Sequence, residues 1–207
     1  MNQDHFGMDT ITLAGPLEAK LRAVREGGFT QIMLSARDLR KLATLAVPLG
    51  IRVAYEALSW GRHVNEFPRA WEIVAAADRA NLGLALDSFH MLATKTGLED
   101  LDLVDPKKIF IVQLADFMWR ELPSREERID TARHFRVFPG EGVHGAEVAE
   151  LVRRLDGMGY RGDYSFEVFN DDYRQLPLAM VAERARASVK WITGLVSRRS
   201  LPAAIRP

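Results

Sequence analysis

"LGLALDSFHML", Leu82 to Leu92, is the stretch on which the reading of this chain turns. A run of apolar residues leads directly into Asp87, and a histidine follows at His90. Side chains alternate across a strand, so Leu82, Leu84 and Leu86 share one face, and Gly83, Ala85 and Asp87 share the other. The large residues then pack on helices, and the small ones and the carboxylate point inward. An ionised carboxylate inside a protein is costly unless it is paired or bound to a metal. Asp87 therefore needs a partner, or it serves the more ordinary purpose of capping a helix.

Outward from this stretch, short apolar runs alternate with amphipathic ones. Strands are expected at 11–15, 31–35, 51–58, 82–89, 109–116 and 162–169. Helices are expected at 16–28, 37–50, 68–81, 144–160 and 176–198, with a short helix and turn at 97–108. Residues 117–143 read as a long polar segment. A βαβα order with apolar strands implies a parallel sheet covered by helices. No composition break marks a second domain. One domain is expected over 1–198, followed by a flexible tail at 199–207.

Three further strands repeat the pattern of the first. In 51–58, Ala54 and Glu56 share a face. In 109–116, Ile111 and Gln113 do so, and in 162–169, Asp163, Ser165 and Glu167. Four strands thus each send one oxygen-bearing side chain inward near the C-terminal end, where parallel α/β barrels carry their active sites. Three carboxylates converging with one amide repel each other without a cation. An oxygen-rich set of this kind suits Mg²⁺ or Mn²⁺ and accepts Co²⁺.

The bulk composition excludes several classes. The 207 residues carry a formal net charge of zero, with 47% hydrophobic and 27% charged residues and no cysteine. Nothing in that balance draws the chain to nucleic acid or to an anionic membrane surface. Without cysteine there is no disulfide or thiolate metal site, and a reducing cytoplasm is the expected location. The first residues, "MNQDHFGMDT", lack a basic region followed by an apolar one, so no signal peptide is expected.

The motifs "YEALSWGRHVN" (55–65), "NLGLALDSFHMLA" (81–93), "IFIVQLAD" (109–116), "RHFRVFPGEG" (133–142) and "YSFEVFND" (164–171), in that order, resemble the 3-dehydroshikimate dehydratases. These belong to the xylose-isomerase-like superfamily of TIM barrels. The resemblance implies that Glu56, Asp87, Gln113 and Glu167 hold a divalent metal, the four residues that strand alternation selects. It also implies loss of water from 3-dehydroshikimate to give protocatechuate. His90 is the candidate general acid/base; its alternative is an ordinary solvated histidine. Arg62, His63, Arg133 and Arg136 are candidates for holding the small-molecule substrate, since guanidinium groups suit carboxylates. Their alternative is a set of surface charges.

The chain also departs from that pattern. The fold has eight strands, and about six are legible here by pattern. Two βα units are missing between Arg37 and Ile51, and Met33 and Ala36 stand where the family has acidic residues on its second strand. An incomplete or rearranged barrel is expected, in which 31–35 pairs directly with 51–58 or leaves an open side. Exposed edges would favour a homo-oligomer with contacts near 31–58. Two other functions compete: a keto-sugar isomerase or epimerase using the same metal-held enediolate, and a non-catalytic barrel remnant acting as an interaction module.

Overall fold

Six parallel strands lie side by side in strict chain order, so each strand's neighbour in sequence is also its neighbour in space. The structure, a computed structural model, describes residues 7–9, 17–28, 31–33 and 39–199. The strands are β1 (Gly7–Asp9), β2 (Gln31–Met33), β3 (Arg52–Glu56), β4 (Leu82–Asp87), β5 (Ile109–Leu114) and β6 (Asp163–Phe166). The helices between and after them are α1 (Leu17–Glu26), α2 (Leu39–Ala46), α3 (Phe67–Ala77), α4 (Ser88–Thr94), α5 (Arg125–His134), α6 (Gly145–Met158) and α7 (Leu178–Arg199). The expected strand at 11–15 and the tail from 200 onward lie outside the described residues.

The gap expected from the sequence is real among the described residues. β2 pairs in parallel with β3 through Gln31–Arg52, Ile32–Val53 and Met33–Ala54, with only α2 and a 3₁₀ turn between them. Among the described residues, the sheet runs from β1 to β6 without a pairing between those two, so it is open rather than a closed eight-stranded barrel.

Helices form where apolar side chains recur at helical spacing. α3 buries Phe67, Ala70, Val74 and Ala77, with Pro68 in its first turn, and stops where Asp78 turns left-handed. α6 buries Val148, Ala149, Leu151, Val152 and Leu155. These stripes pack on Val53, Leu82, Leu84, Leu86, Val112 and Leu114 of the sheet. β4 is buried along its whole length, on both faces. β6 is different: Tyr164 and Ser165 are exposed, because among the described residues no strand lies beyond β6.

Two helices depart from the sequence reading. The expected strand 82–89 ends at Asp87, and Ser88 already begins α4, which buries five of its seven residues. The segment 117–143 contains α5, whose sequence "REERIDTARH" has no apolar stripe. Its start is fixed instead by a capping box: Ser124 Oγ accepts from the Glu127 main chain, and Glu127 accepts from the Ser124 main chain. At 97–108 the expected short helix and turn are a 3₁₀ helix, Glu99–Leu103, and a 3₁₀ turn, Pro106–Lys108.

Candidate metal centre

The four inward residues gather at the C-terminal ends of β3 to β6. Glu56 and Asp87 are the last residues of their strands, Gln113 is next to last in β5, and Glu167 follows β6 directly. Register aligns them: Glu56 lies beside Ala85, Asp87 beside Gln113, and Gln113 beside Ser165. A register shift between Leu84 and Ala85 brings Asp87 level with Gln113.

Asp87 turns out to hold both of the roles weighed for it. One oxygen, Oδ1, accepts from the Phe89 main chain at 2.8 Å and caps α4. The other, Oδ2, accepts from Arg136 Nη1 at 2.7 Å. The same nitrogen donates to Glu167 Oε2 at 3.0 Å, and Gln113 Nε2 donates to Glu167 Oε1 at 2.8 Å. Arg136 is buried, and its guanidinium stacks over the Phe89 ring at 4.4 Å. Burial raises the Asp87 carboxyl, but Arg136, His90 and the two hydrogen bonds outweigh it and hold the group below its ordinary value. Burial, then the Asp87 charge, push Glu167 up to about 7 against the pull of Arg136. One guanidinium thus serves two carboxylates, the buried Asp87, which it holds down, and the half-buried Glu167, which burial and the Asp87 charge push up.

His90, on the first turn of α4, is buried beside them. Its Nε2 lies 3.6 Å from Asp87 Oδ2 and 3.7 Å from Glu56 Oε1. Burial pushes its pKa down to about 4, against the Asp87 charge and with help from Arg136. The ring is therefore neutral at ordinary pH. Its Nδ1 accepts from the Ser59 main-chain N–H at 3.2 Å, a donor that cannot change sides. The single ring proton is thus on Nε2, facing the carboxylates. Trp60 and Phe89 hold the ring edge-on.

Glu56, Asp87 and His90 bring one ligand atom each within 4.8 Å of one another, a group that could hold a divalent metal. The tautomer decides which atoms serve. In that tautomer Nε2 offers no lone pair to a cation. Gln113 Oε1, buried without a hydrogen-bond partner, offers one instead. Each carboxylate oxygen keeps a second lone pair beyond the contacts described. The residues present therefore fit an oxygen-coordinated cation.

The remaining expected site residues separate. Arg136 joins the centre, bonded to carboxylates of the protein itself. Arg62 and His63, in the loop after β3, and Arg133, on α5, are exposed. Ser59, whose main chain and Oγ both meet His90 Nδ1, was not picked out from the sequence, because no local pattern ties it to a residue 31 positions away.

With this geometry in hand, comparison with known proteins decides the family. The model describing the xylose isomerase-like TIM barrel matches residues 4–195. The chain belongs to the xylose isomerase-like TIM barrel family. It is 44% identical over 144 residues to a 3-dehydroshikimate dehydratase of Pseudomonas aeruginosa, a match covering 70% of this chain and 22% of that protein. It is 32% identical over 186 residues to an inosose isomerase of Bacillus subtilis, covering 87% of this chain and 60% of that one. Among solved structures, a xylose isomerase-like TIM barrel/4-hydroxyphenylpyruvate dioxygenase fusion protein matches with a TM-score of 0.79 at 32% identity, over 91% of this chain and 32% of that one. An IOLI protein solved with a bound zinc atom matches with a TM-score of 0.70 at 25% identity, over 88% of this chain and 68% of that one. The chain thus spans less than a quarter of the dehydratase of Pseudomonas aeruginosa. Among the described residues, no helix is long and apolar enough to cross a membrane.

Proposed function

We propose that this chain is a metal-dependent lyase that converts 3-dehydroshikimate to protocatechuate. The observation that carries the reading is the buried convergence of Asp87, Glu167 and Gln113 with Glu56 and a neutral His90 at the strand ends. Glu56, Asp87, Gln113 and Glu167 hold the divalent cation, Mg²⁺, Mn²⁺ or Co²⁺. When bound, it supplies a Lewis acid for the substrate's ketone.

The chain's own side chains do the rest. His90 presents an N–H to the oxygen that becomes negative as the proton α to the ketone leaves. A neutral imidazole serves as a hydrogen-bond donor in this way without giving up its proton. The proton goes to one of the two carboxylates beside His90, Asp87 or Glu56. The electron pair forms a ring double bond, the β-hydroxyl leaves with a proton as water, and the remaining ring proton shifts to complete the aromatic ring. Arg136 holds Asp87 and Glu167 in register, and Arg62, His63 and Arg133 meet the substrate carboxylate and hydroxyls from the rim.

A second reading, isomerisation or epimerisation of a keto-sugar or inosose, is favoured by the 32% identity to the inosose isomerase of Bacillus subtilis over 87% of this chain. There the same proton returns to carbon and no hydroxyl leaves. Purified chain with Mn²⁺ and 3-dehydroshikimate, followed for the ultraviolet absorbance of protocatechuate, separates them. Absorbance growth that EDTA abolishes supports the lyase. Interconversion of inososes without that growth supports the isomerase. Neither activity, with the chain folded and metal-loaded, leaves the interaction module.

A further inference from the structure

His90 acts in the proposed reaction only while its ring proton sits on Nε2, and a four-residue turn keeps it there. The turn is 58–61, closed by the Gly61 N–H on the Leu58 carbonyl at 2.6 Å. Within it, the Ser59 main-chain N and Oγ lie 3.2 and 3.1 Å from His90 Nδ1. The Trp60 ring stands edge-on to the imidazole, with centroids 4.9 Å apart. The loop is tight enough to need Gly61: a Cβ there would stand 2.2 Å from the Val64 carbonyl oxygen.

A turn of this kind uses the carbonyl of its first residue and leaves those of its second and third to find partners elsewhere. Ser59 is 1% exposed, so little water reaches its carbonyl. Both carbonyls are met from α5. Arg128 Nη1 donates to the Ser59 carbonyl at 3.1 Å, and Arg125 Nε donates to the Trp60 carbonyl at 3.1 Å. Arg128 Nε also donates to the Leu122 carbonyl at 2.9 Å, so its guanidinium is held at two points.

Apolar burial does little to seat α5. Of its ten residues only Thr131 and Ala132 are buried. Its far end is tied to the carboxylates instead. Arg136 Nε donates to the Ala132 carbonyl at 2.9 Å, while Nη1 of the same side chain bridges Asp87 and Glu167. One helix thus reaches from the Asp87–Glu167 pair to the turn on the Nδ1 side of His90.

We propose that Arg128, aided by Arg125, is a positioning residue for His90: by holding the Ser59 and Trp60 carbonyls, it aims the Ser59 N–H at Nδ1 and so keeps the ring proton on Nε2. The expected effect on rate rests on the lyase reading above; the effect on the ring does not.

The ¹⁵N signals of the His90 imidazole, recorded on the full chain in EDTA, read the ring without substrate or metal. Wild type should show Nε2 protonated and Nδ1 bare. In Arg128→Met the ratio of that tautomer to the other should fall about tenfold, the worth of one hydrogen bond from a charged donor. With Mn²⁺ and 3-dehydroshikimate, kcat should fall about tenfold, part of the 10²–10³-fold that a well-aimed donor is worth, and KM should stay within about twofold. Arg125→Met, at an exposed position where folding is not at risk, should move ring and kcat the same way by about threefold, and it decides the matter if Arg128→Met does not fold. Ser124→Ala weakens the cap of the same helix but keeps both arginines, so it should lower Tm and leave the ring signals unchanged. A wild-type ring protonated on Nδ1, unchanged ring signals in folded Arg128→Met or in Arg125→Met, a rise in KM in place of the fall in kcat, or the same ring shift in Ser124→Ala each overturns the proposal. If wild type does not turn over 3-dehydroshikimate, the lyase reading fails alone, and the ring signals still decide the positioning.

Discussion

Replacing Arg136 with methionine tests how the carboxylates are held together. Arg136 Nη1 reaches Asp87 at 2.7 Å and Glu167 at 3.0 Å, and the Arg136 and Asp87 side chains are 3% and 0% exposed. The Asp87 bond is charge-assisted in a dry setting, worth about 1.5–3 kcal/mol, and its loss also strands a buried charge. The Glu167 bond counts for less, because that side chain is 22% exposed and water screens it. Breaking one partner of a buried pair costs about 3–5 kcal/mol. For a chain of this size that lowers Tm by about 6–20 °C in EDTA. Methionine has similar length and keeps the apolar contact with Phe89, so the loss reports charge rather than volume. A divalent cation supplies the compensation that Arg136 no longer does. Mn²⁺ should therefore raise Tm more in Arg136→Met than in wild type. The assay is a pair of thermal melts for each protein, in EDTA and in excess Mn²⁺. A loss below about 1 kcal/mol in EDTA, the size of an ordinary surface pair, would refute the account of a buried cation bridge. An equal Mn²⁺ shift in both proteins would refute the shared use of these carboxylates by arginine and metal.

His90→Ala should keep the Mn²⁺-induced Tm shift and lower turnover of 3-dehydroshikimate by about 10²–10³-fold, the worth of one donor to a developing oxyanion; loss of the metal shift would instead make His90 a ligand. Burial and the hydrogen bond to Glu141 push the Tyr173 phenol up to about 12, from 10.0. Its folded-state value is raised, so the stability it contributes is full below pH 10 and is lost as pH climbs towards 12. Tyr173→Phe should flatten that part of the denaturant midpoint against pH, and an unchanged slope argues against the effect. Leu84→Ala, with no exposed surface in β4, should cost about 2–5 kcal/mol in urea unfolding without changing the metal shift. The open sheet edges are expected to be covered by a second copy near residues 31–58, so light scattering should give a dimer or larger assembly, and a strict monomer counts against it.

The apolar runs of β3, β4 and β5 and the stripes of α3 and α6 were legible in the sequence, because burial imposes its period on residue type locally. Strand alternation likewise selected Glu56, Asp87, Gln113 and Glu167, since facing inward is a local property of each strand. The shortness of the chain between β2 and β3 left two outcomes, direct pairing or an open side, and the structure takes the first. α5 was not, because a helix polar on all faces carries no stripe; its capping box at Ser124 and Glu127 was the only mark. α4 was hidden because five of its seven residues are buried, a pattern that looks the same in a strand and in a short helix. The roles within the site were decided only in three dimensions. Arg136 lies 49 residues from Asp87, and nothing local tells an arginine that meets substrate from one that bridges two carboxylates. The main-chain N–H of Ser59, 31 residues from His90, meets that ring's Nδ1 and leaves the ring proton on Nε2. Hydrogen bonds and charges act through space over a few ångströms, and the folded sheet alone determines which distant residues come that close.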